Sequence, residues 1–488
     1  MAGGRKTKSS GPAAPSKTLI IDNGGYTLKA GFAPPSPTSG ADLPPRIIPN
    51  CIARDRHRKI YVGSELPQQC RDFGELQFRR PVDKGFIVNW EAQKEVWDGE
   101  LFGGKGGLGC EPGETRLVLT EAPGGLPALQ GNCDQMVFEE FGFASYYRAI
   151  GMFSLAQLCL RECLHGKLGI VRRLMRERIG PTLNAYNDIQ SFFGTTRDPA
   201  TMTAPQVPAE IMLLVDSGYS HTTVTPLLHG RPLYSAVRRL DIGGKFLTNY
   251  LTRLLSLRHF DMRNDVYIVN EIKETACFVS LDFAADLEKT WKGSRGERRP
   301  VYVNGSDGIA KDYVLPDYHA RQKGIIRDYD PAAHTKSRKL ALGAAGNAAD
   351  VNEDIITLRN ERFSVPELLF NPMDIGLRQP GLPNLIMQSV SSLPVGLWPG
   401  LLANIVVVGG NALFPGFRER LQREVASLAP DDCTVRVAVP EDPVTATWKG
   451  GVRLAAHENI GKLSVSKAEY DEYGAAWVAR KFAAGLPV

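Results

Sequence analysis

Short, uninterrupted apolar runs that stop at an acidic residue and a glycine turn dominate the patterning of this chain. Leu19-Ile20-Ile21 ends in Asp22-Asn23-Gly24-Gly25, and Met212-Leu213-Leu214-Val215 ends in Asp216-Ser217-Gly218. Each turn leads back into a second β-like segment, Tyr26 to Phe32 in one case and His221 to Leu228 in the other. A third run, Ile405-Val406-Val407-Val408, meets Gly409-Gly410-Asn411. Apolar runs bounded by glycine predict strands covered on both faces, because a half-exposed sheet would show alternation instead. One Asp-x-Gly turn is a common hairpin; its repetition after the same kind of strand predicts a duplicated domain. Successive backbone N–H groups in such turns form a concavity for phosphate oxygens, and a strand-end aspartate can hold a divalent cation through water. The repeated pattern predicts a nucleotide cleft between two copies of one hairpin.

Between these runs the chain alternates strand and helix signals. Thr115-Arg116-Leu117-Val118-Leu119-Thr120 reads as a strand leading into Glu121-Ala122-Pro123. Met136, Val137, Phe141 and Ile150 give helical apolar spacing to the stretch from Cys133 to Leu164. Alternation of this kind predicts an α/β architecture. Residues 1–17, rich in Gly, Ser, Pro, Ala and Lys, are expected to be a disordered basic tail. Two stretches break the pattern and read as insertions. Residues 167–208 open on Arg172-Arg173-Leu174-Met175-Arg176 and close on a Thr/Pro-rich run, and residues 319–354 mix Arg321, Lys323, Arg327, Lys336, Arg338 and Lys339 with a small-residue tract. Loops this long inside a compact domain are uncommon and tend either to dock partners or to be solvated.

Composition narrows the classes. With 488 residues, 43% hydrophobic and 23% charged, the chain can bury the cores of two or three domains. It holds no apolar run long enough to span a bilayer and no apolar segment after Met1 of the secretory kind, so an intracellular protein is expected. Eight cysteines without Cys-x-x-Cys pairing indicate neither a zinc site nor a disulfide framework. Cys159 and Cys163 share one helical face, which reads as core packing. A net charge of +5 permits an acidic partner without pointing to nucleic acid.

The ordered motifs together resemble the actin family. The run Asp22 to Phe32 is similar to the family's first phosphate loop, and Leu119-Thr120-Glu121-Ala122-Pro123 to a strand end at its cleft. Arg239-Leu240-Asp241-Ile242-Gly243-Gly244, Ile272-Lys273-Glu274, Asn360-Glu361-Arg362-Phe363, Gly409-Gly410 and Trp448-Lys449-Gly450-Gly451 follow in the family's order. The resemblance implies two ribonuclease H-like domains around a cleft for ATP or ADP with Mg. It places a first domain at 18–166 with residues 452–488 packing back on it, and a second at 209–451. By motif, Asp22 and Asp216 become the cation-side carboxylates, acting through water, and Lys29 reaches the phosphates. Asn23, Gly24, Gly25, Ser217, Gly218 and Gly244 join them, Lys273 and Glu274 lie at base and ribose, Gly409 and Gly410 lie behind the nucleotide, and Gln135 and His221 orient the hydrolytic water. A lysine, a metal-bound carboxylate and a polar pair are the groups phosphoanhydride hydrolysis needs.

Departures from the family pattern shape the functional expectation. Gly25 and Tyr26 stand where the family has serine and then glycine, the second turn is two residues shorter, and Val444 replaces a lysine at the adenine side. Each lost charge-assisted contact is worth roughly 1.5–3 kcal/mol, so weakened nucleotide binding and turnover are expected. The loop that the family inserts into a neighbouring subunit is reduced to Ile52–Ile60 with a basic tip, Arg54, Arg56, His57, Arg58 and Lys59, which opposes head-to-tail polymerisation. Among family branches the loops are most similar to a nuclear one. That resemblance implies a non-motor subunit of a SWR-type remodelling complex that exchanges histone H2A for its variant, serving transcriptional regulation and chromosome stability. The implied partners are the motor subunit, a small zinc-finger subunit and the nucleosome, with no membrane contact; the implied location is the nucleus, with the cytoplasm second. A cytoskeletal ATP-binding actin and a small-molecule kinase of the same superfamily stay open as alternatives.

Overall fold

The computed structural model describes residues 15–34, 44–103, 106–122, 124–149, 211–228, 230–290, 308–318, 321–329, 353–456 and 459–484. Two sheets organise them. In the first, the hairpin Lys17–Asn23 and Thr27–Phe32 is flanked by Arg46–Pro49 on one side and, in parallel, by Thr115–Thr120 and then Ser145–Ala149 on the other. In the second, the hairpin Ile211–Ser217 and Thr222–Leu228 is flanked by Arg231–Pro232 and Arg238–Leu240, and on its parallel side by Ile405–Val408 and Val437–Ala438. One topology is thus drawn twice, an antiparallel hairpin whose first strand pairs in parallel with a later strand.

The uninterrupted apolar runs explain why these strands lie centrally. Leu19, Ile20, Ile21, Leu117, Val118 and Leu119 are completely buried in one core, and Leu213, Val215, Ile405 and Val407 in the other. Each such side chain contributes about 1.5–3 kcal/mol by leaving water. Both faces are covered by helices and loops, so the polar ends of the strands can emerge only where the sheets stop, and both hairpin turns stop at the same cleft.

Three expectations change. Within the described part of the stretch Cys133–Leu164 expected to be helical, the helix Pro127–Gln135 is extended by a wider turn through Glu140, after which Gly142, at φ +70°, ends it; residues 150–164 lie outside the described residues. Ser145–Ala149 then pairs as a strand with Thr115–Thr120, because Tyr146 and Tyr147 fill the core better than a solvated helix face would. Residues 319–354 are not wholly a loop: Ile325–Asp328 is an edge strand on Lys311–Val314. The return to the first half also begins before residue 452, since Trp448, in the helix Ala446–Ala455, packs in the first core and donates from Nε1 to Ile20 O at 3.2 Å. Farther on, Tyr470 stacks on Phe138 with centroids 4.7 Å apart and donates to Glu139 Oε1 at 2.6 Å. The insertion at 167–208, Cys159, Cys163 and residues 1–14 of the tail lie outside the described residues, while Lys17 opens the first strand.

Candidate functional site

A cavity of about 490 Å³ opens between the two sheets, a size typical of small-ligand sites. The three glycine turns foreseen from sequence converge on it: Asp22, Asn23, Gly24, Gly25 and Lys29 line one side, Asp216, Gly218 and His221 another, and Gly409 and Gly410 a third. Gly409 has φ +94°, and a Cβ there would lie 2.4 Å from Ser217 O and 3.1 Å from Asp216 Oδ1, so only glycine lets this turn approach the second hairpin.

The first turn is held rigidly from below. Asp22 pairs across the hairpin with Lys29, whose Nζ lies 3.2 Å from Asp22 Oδ2. Thr120, at the end of the neighbouring strand, donates to Asp22 Oδ1 at 3.0 Å and accepts from Asn23 N at 3.0 Å. Asn23 also donates to the fully buried Gln93, 2.9 Å away, which in turn donates to Asn50 at 3.1 Å. A closed amide network of this kind fixes the turn before any ligand arrives.

The second turn is equally short. Ser217 pairs with Thr222, leaving Gly218-Tyr219-Ser220-His221 between, just as Asn23 paired with Leu28 leaves Gly24-Gly25-Tyr26-Thr27. Gly218 N–H closes it onto His221 O at 3.1 Å. Its carbonyls are taken by the start of the helix Gly244–Arg258, with Gly244 N donating to Gly218 O at 3.0 Å and Lys245 N to Tyr219 O at 2.8 Å. Asn411, next to the third turn, adds a bond to Gly218 O at 2.9 Å. The residue opposite Asp216 is Thr223, not a lysine, and among the described residues no hydrogen bond or ion pair reaches the Asp216 carboxylate. That carboxylate opens into the cavity while protein encircles it. The surrounding protein, then the negative charge of Asp22, raise its pKa to about 6. His221 faces the same space. Burial, then Arg239, lowers its pKa to about 4, so it is neutral at pH 7, and its Nδ1 has no hydrogen-bond partner among the described residues. Gly85, at φ +89°, makes room for it, since a Cβ there would sit 2.4 Å from His221 Cε1.

The far side of the cavity differs from the sequence reading. Lys273 and Glu274 line it together with Gly244, Leu413, Phe414, Pro443 and Val444. Lys273 is nonetheless committed elsewhere: Nζ donates to Gly244 O at 3.2 Å, Thr248 Oγ1 at 2.9 Å and Asn270 Oδ1 at 2.7 Å, and its burial lowers its pKa to about 8. Asn270 then donates to Glu274 at 2.8 Å and to the Tyr26 hydroxyl at 3.0 Å. Tyr26 lies against Tyr219 with centroids 4.9 Å apart, and the Arg80 guanidinium covers both rings at 4.7 and 5.2 Å. A ring in place of the family's glycine therefore bridges the two halves directly.

Two sequence assignments do not meet the cavity. Gln135 ends the helix Pro127–Gln135 on its exposed side and donates to Glu139 Oε2 at 3.0 Å, so it does not orient water there; from the following strand Ser145–Ala149 only Ala149 reaches the cavity. Ser217 is fully buried behind the turn, its hydroxyl 2.9 Å from Thr222 Oγ1 and 3.1 Å from Asn411 Nδ2. The residues missed were Thr120, Asn411, Asn270, Tyr219 and Ser220. Thr120 and Asn411 lie within the strand-end and third glycine-turn motifs, where a polar residue next to a phosphate-type turn is the available signal; Asn270 needs the helix face.

The donor set fits a nucleotide with a cation: a lysine and three glycine turns on one side, and two carboxylates, Asp22 and Asp216, of which only one is satisfied by protein. Among the described residues no group of three or more His, Cys, Asp or Glu could hold a metal ion alone, so a cation here would share its coordination with phosphate oxygens and water. Residues 13–483 match the family model described as Actin. The chain belongs to the actin family. It is 58% identical to Actin-related protein 6 of Neurospora crassa over 99% of this chain and 98% of that one. It is 33% identical to Actin-related protein 6 of Arabidopsis thaliana over 96% and 99%, and 32% identical to Actin-related protein 6 of Drosophila melanogaster over 93% and 97%. The actin-like fold is accordingly the frame in which the two hairpins and their cleft are read.

Proposed function

We propose that this chain is a non-motor structural subunit of a SWR-type chromatin remodelling complex that exchanges histone H2A for its variant, in the nucleus and secondarily in the cytoplasm. The observation that carries the reading is the end-to-end 58% identity to a relative named Actin-related protein 6. The geometry agrees with a platform. Beyond Tyr26 and Asn270, the halves touch through Lys245 and Asp83 at 3.0 Å, Glu75 N and Asp265 Oδ1 at 3.0 Å, and Phe73 stacked 4.5 Å from Tyr267. ATP or ADP with Mg would be held by Asp22, Gly24, Gly25, Lys29, Asp216, Gly218, Gly409 and Gly410. Its part is to add binding energy across halves that already meet. With Gln135 away from the cavity, only His221 of the polar pair is positioned to orient water, which supports a role without turnover.

The tip Asp55–Lys59 supports the absence of filaments. Asp55 accepts from His57 N at 2.8 Å and Lys59 N at 2.9 Å, folding the tip into a tight turn that leaves Arg56, Arg58 and Lys59 exposed. Like charges oppose self-insertion, and the same cations suit nucleosomal DNA or an acidic histone face. Affinity purification of tagged chain from nuclei tests the assignment. Co-purification of a motor subunit and a small zinc-finger protein, with the isolated chain remaining in the supernatant in ATP and Mg, is expected. Recovery of a solitary protein, or pelleting as filaments, overturns it.

A further inference from the structure

The two turns meet each other in a way that neither shows alone. At equivalent places the first carries Gly25-Tyr26 and the second Tyr219-Ser220, so the order of large and small is reversed. Ring then meets ring, with Tyr26 and Tyr219 4.9 Å apart, and small meets small: a Cβ built on Gly25 would lie 2.5 Å from Ser220 Oγ. A side chain at position 25 would therefore turn the Ser220 hydroxyl out of its present orientation, since Ser220 Cβ itself would stay at an ordinary 3.8 Å. Ser220 and Gly25 both line the cavity, and Ser220 Oγ makes no hydrogen bond to any described residue. A cavity-facing hydroxyl with no hydrogen-bond partner among the described residues, beside Gly25 and in one cavity with Lys29, is a donor available to an anion.

We propose that Ser220 is a phosphate-binding residue of this cleft, supplying a hydroxyl from the second turn, and that Gly25 leaves that hydroxyl the space to point into the cavity. The ligand class is a nucleoside di- or triphosphate, so the inference rests on the nucleotide reading given above. The shortened second turn serves this arrangement. With only Tyr219 and Ser220 at its apex, the turn brings Ser220 forward to the first hairpin, while Gly244 N, Lys245 N and Asn411 Nδ2 hold its carbonyls from behind.

The test uses the full-length chain and fluorescent ADP and ATP titrated with Mg, together with thermal melts without nucleotide. Ser220→Ala is expected to weaken nucleotide binding about tenfold, the effect of removing one hydrogen bond to a charged group, while its nucleotide-free melt stays near wild type. Gly25→Ser alone is expected to lower the nucleotide-free melting temperature and weaken binding. The reciprocal swap Gly25→Ser with Ser220→Gly is expected to recover both, because one hydroxyl again occupies one space. Unchanged affinity in Ser220→Ala, or a Gly25→Ser chain that melts and binds as wild type, overturns the proposal. A wild-type chain that binds neither nucleotide overturns the nucleotide reading itself, and the melts of the swap pair then still report whether the two positions share space.

Discussion

Asp22 and Asp216 stand at the same place in two hairpins of equal turn length, yet protein satisfies only the first. The reason lies in the register. Opposite Asp22 is Lys29, and opposite Asp216 is Thr223. Thr120 completes the first aspartate's bonds, whereas in the second half the nearest glycine turn, Gly409, brings a backbone without a side chain. The first half thus neutralises its own charge and the second leaves a carboxylate of raised pKa open to the cavity. Duplication preserved the scaffold and let the two ends diverge: one became a rigid floor, the other a site waiting for a cation or a proton.

The contrast breaks most severely at Arg148, beneath the first half's strand ends. Fully buried, it donates to Asp134 Oδ1 at 2.9 Å and Gln130 O at 3.1 Å, with Glu121 Oε2 3.8 Å from its Nε. Arg148→Met leaves the buried Asp134 and the half-buried Glu121 carboxyls without a cation and is expected to cost about 3–5 kcal/mol in urea unfolding at pH 7. Burial already raises the pKa of Asp134 to about 7, so part of the loss should return as the pH falls and the carboxyls protonate. A loss below about 1 kcal/mol would mean that internal neutralisation is not what stiffens the first half.

His221 gives the next effect, through pH. Its folded pKa of about 4 lies below the ordinary 6.5. The folded state therefore prefers neutral imidazole, and the associated stability is complete above pH 6.5 and is lost as the pH falls toward 4. The loss is bounded by about 3 kcal/mol, at 1.36 kcal/mol per pKa unit. Unfolding midpoints measured from pH 8 to pH 4 should fall less steeply for His221→Gln than for the wild type; parallel curves would remove His221 from the account. Smaller still, Lys29→Met should cost about 1–2 kcal/mol, because Asp22 then faces Asp216 without its cation. The same variant makes the first hairpin resemble the second, so its melting temperature should become more responsive to Mg than that of wild type.

Most of this frame was legible in the sequence because buried strands announce themselves locally. Leu19–Ile21, Met212–Val215 and Ile405–Val408 read as covered strands, and each is followed by a glycine turn, of which Gly24 and Gly409 leave no room for a Cβ. The positions of Asp22, Asp216, Lys29 and His221 follow from those turns. What did not follow was orientation within helices and between halves. Gln135 is one residue of a helix whose exposed side could be known only once Val137 and Phe138 were seen in the core. Lys273 lines the cavity, but its three protein acceptors come from residues that are distant in sequence or one helical turn away. From sequence Tyr26 is only a departure from the family's glycine; the structure shows it as an inter-domain contact, because its partners Asn270, Tyr219 and Arg80 belong to three separate segments.

The finest test of the contrast is Asp216→Asn, whose effect is small and opposite in sign to the rest. A carboxyl with a folded pKa of about 6 rather than the ordinary 3.8 binds its proton more tightly when folded. Its favourable contribution is complete below pH 3.8 and disappears as the pH rises through 6, so at pH 7 the charged form opposes folding in the absence of a ligand. Asparagine keeps the shape and removes the charge. Without nucleotide or Mg, the variant should therefore melt slightly above wild type at pH 7, and the advantage should vanish by pH 4. With nucleotide and Mg the order should reverse, because the open carboxylate then has a cation to meet. The symmetric change, Asp22→Asn, should destabilise at pH 7 under both conditions, since Lys29 would lose its partner. If the two asparagine variants behaved alike, the protein would not distinguish its two aspartates, and the asymmetry read from the register would have no energetic content.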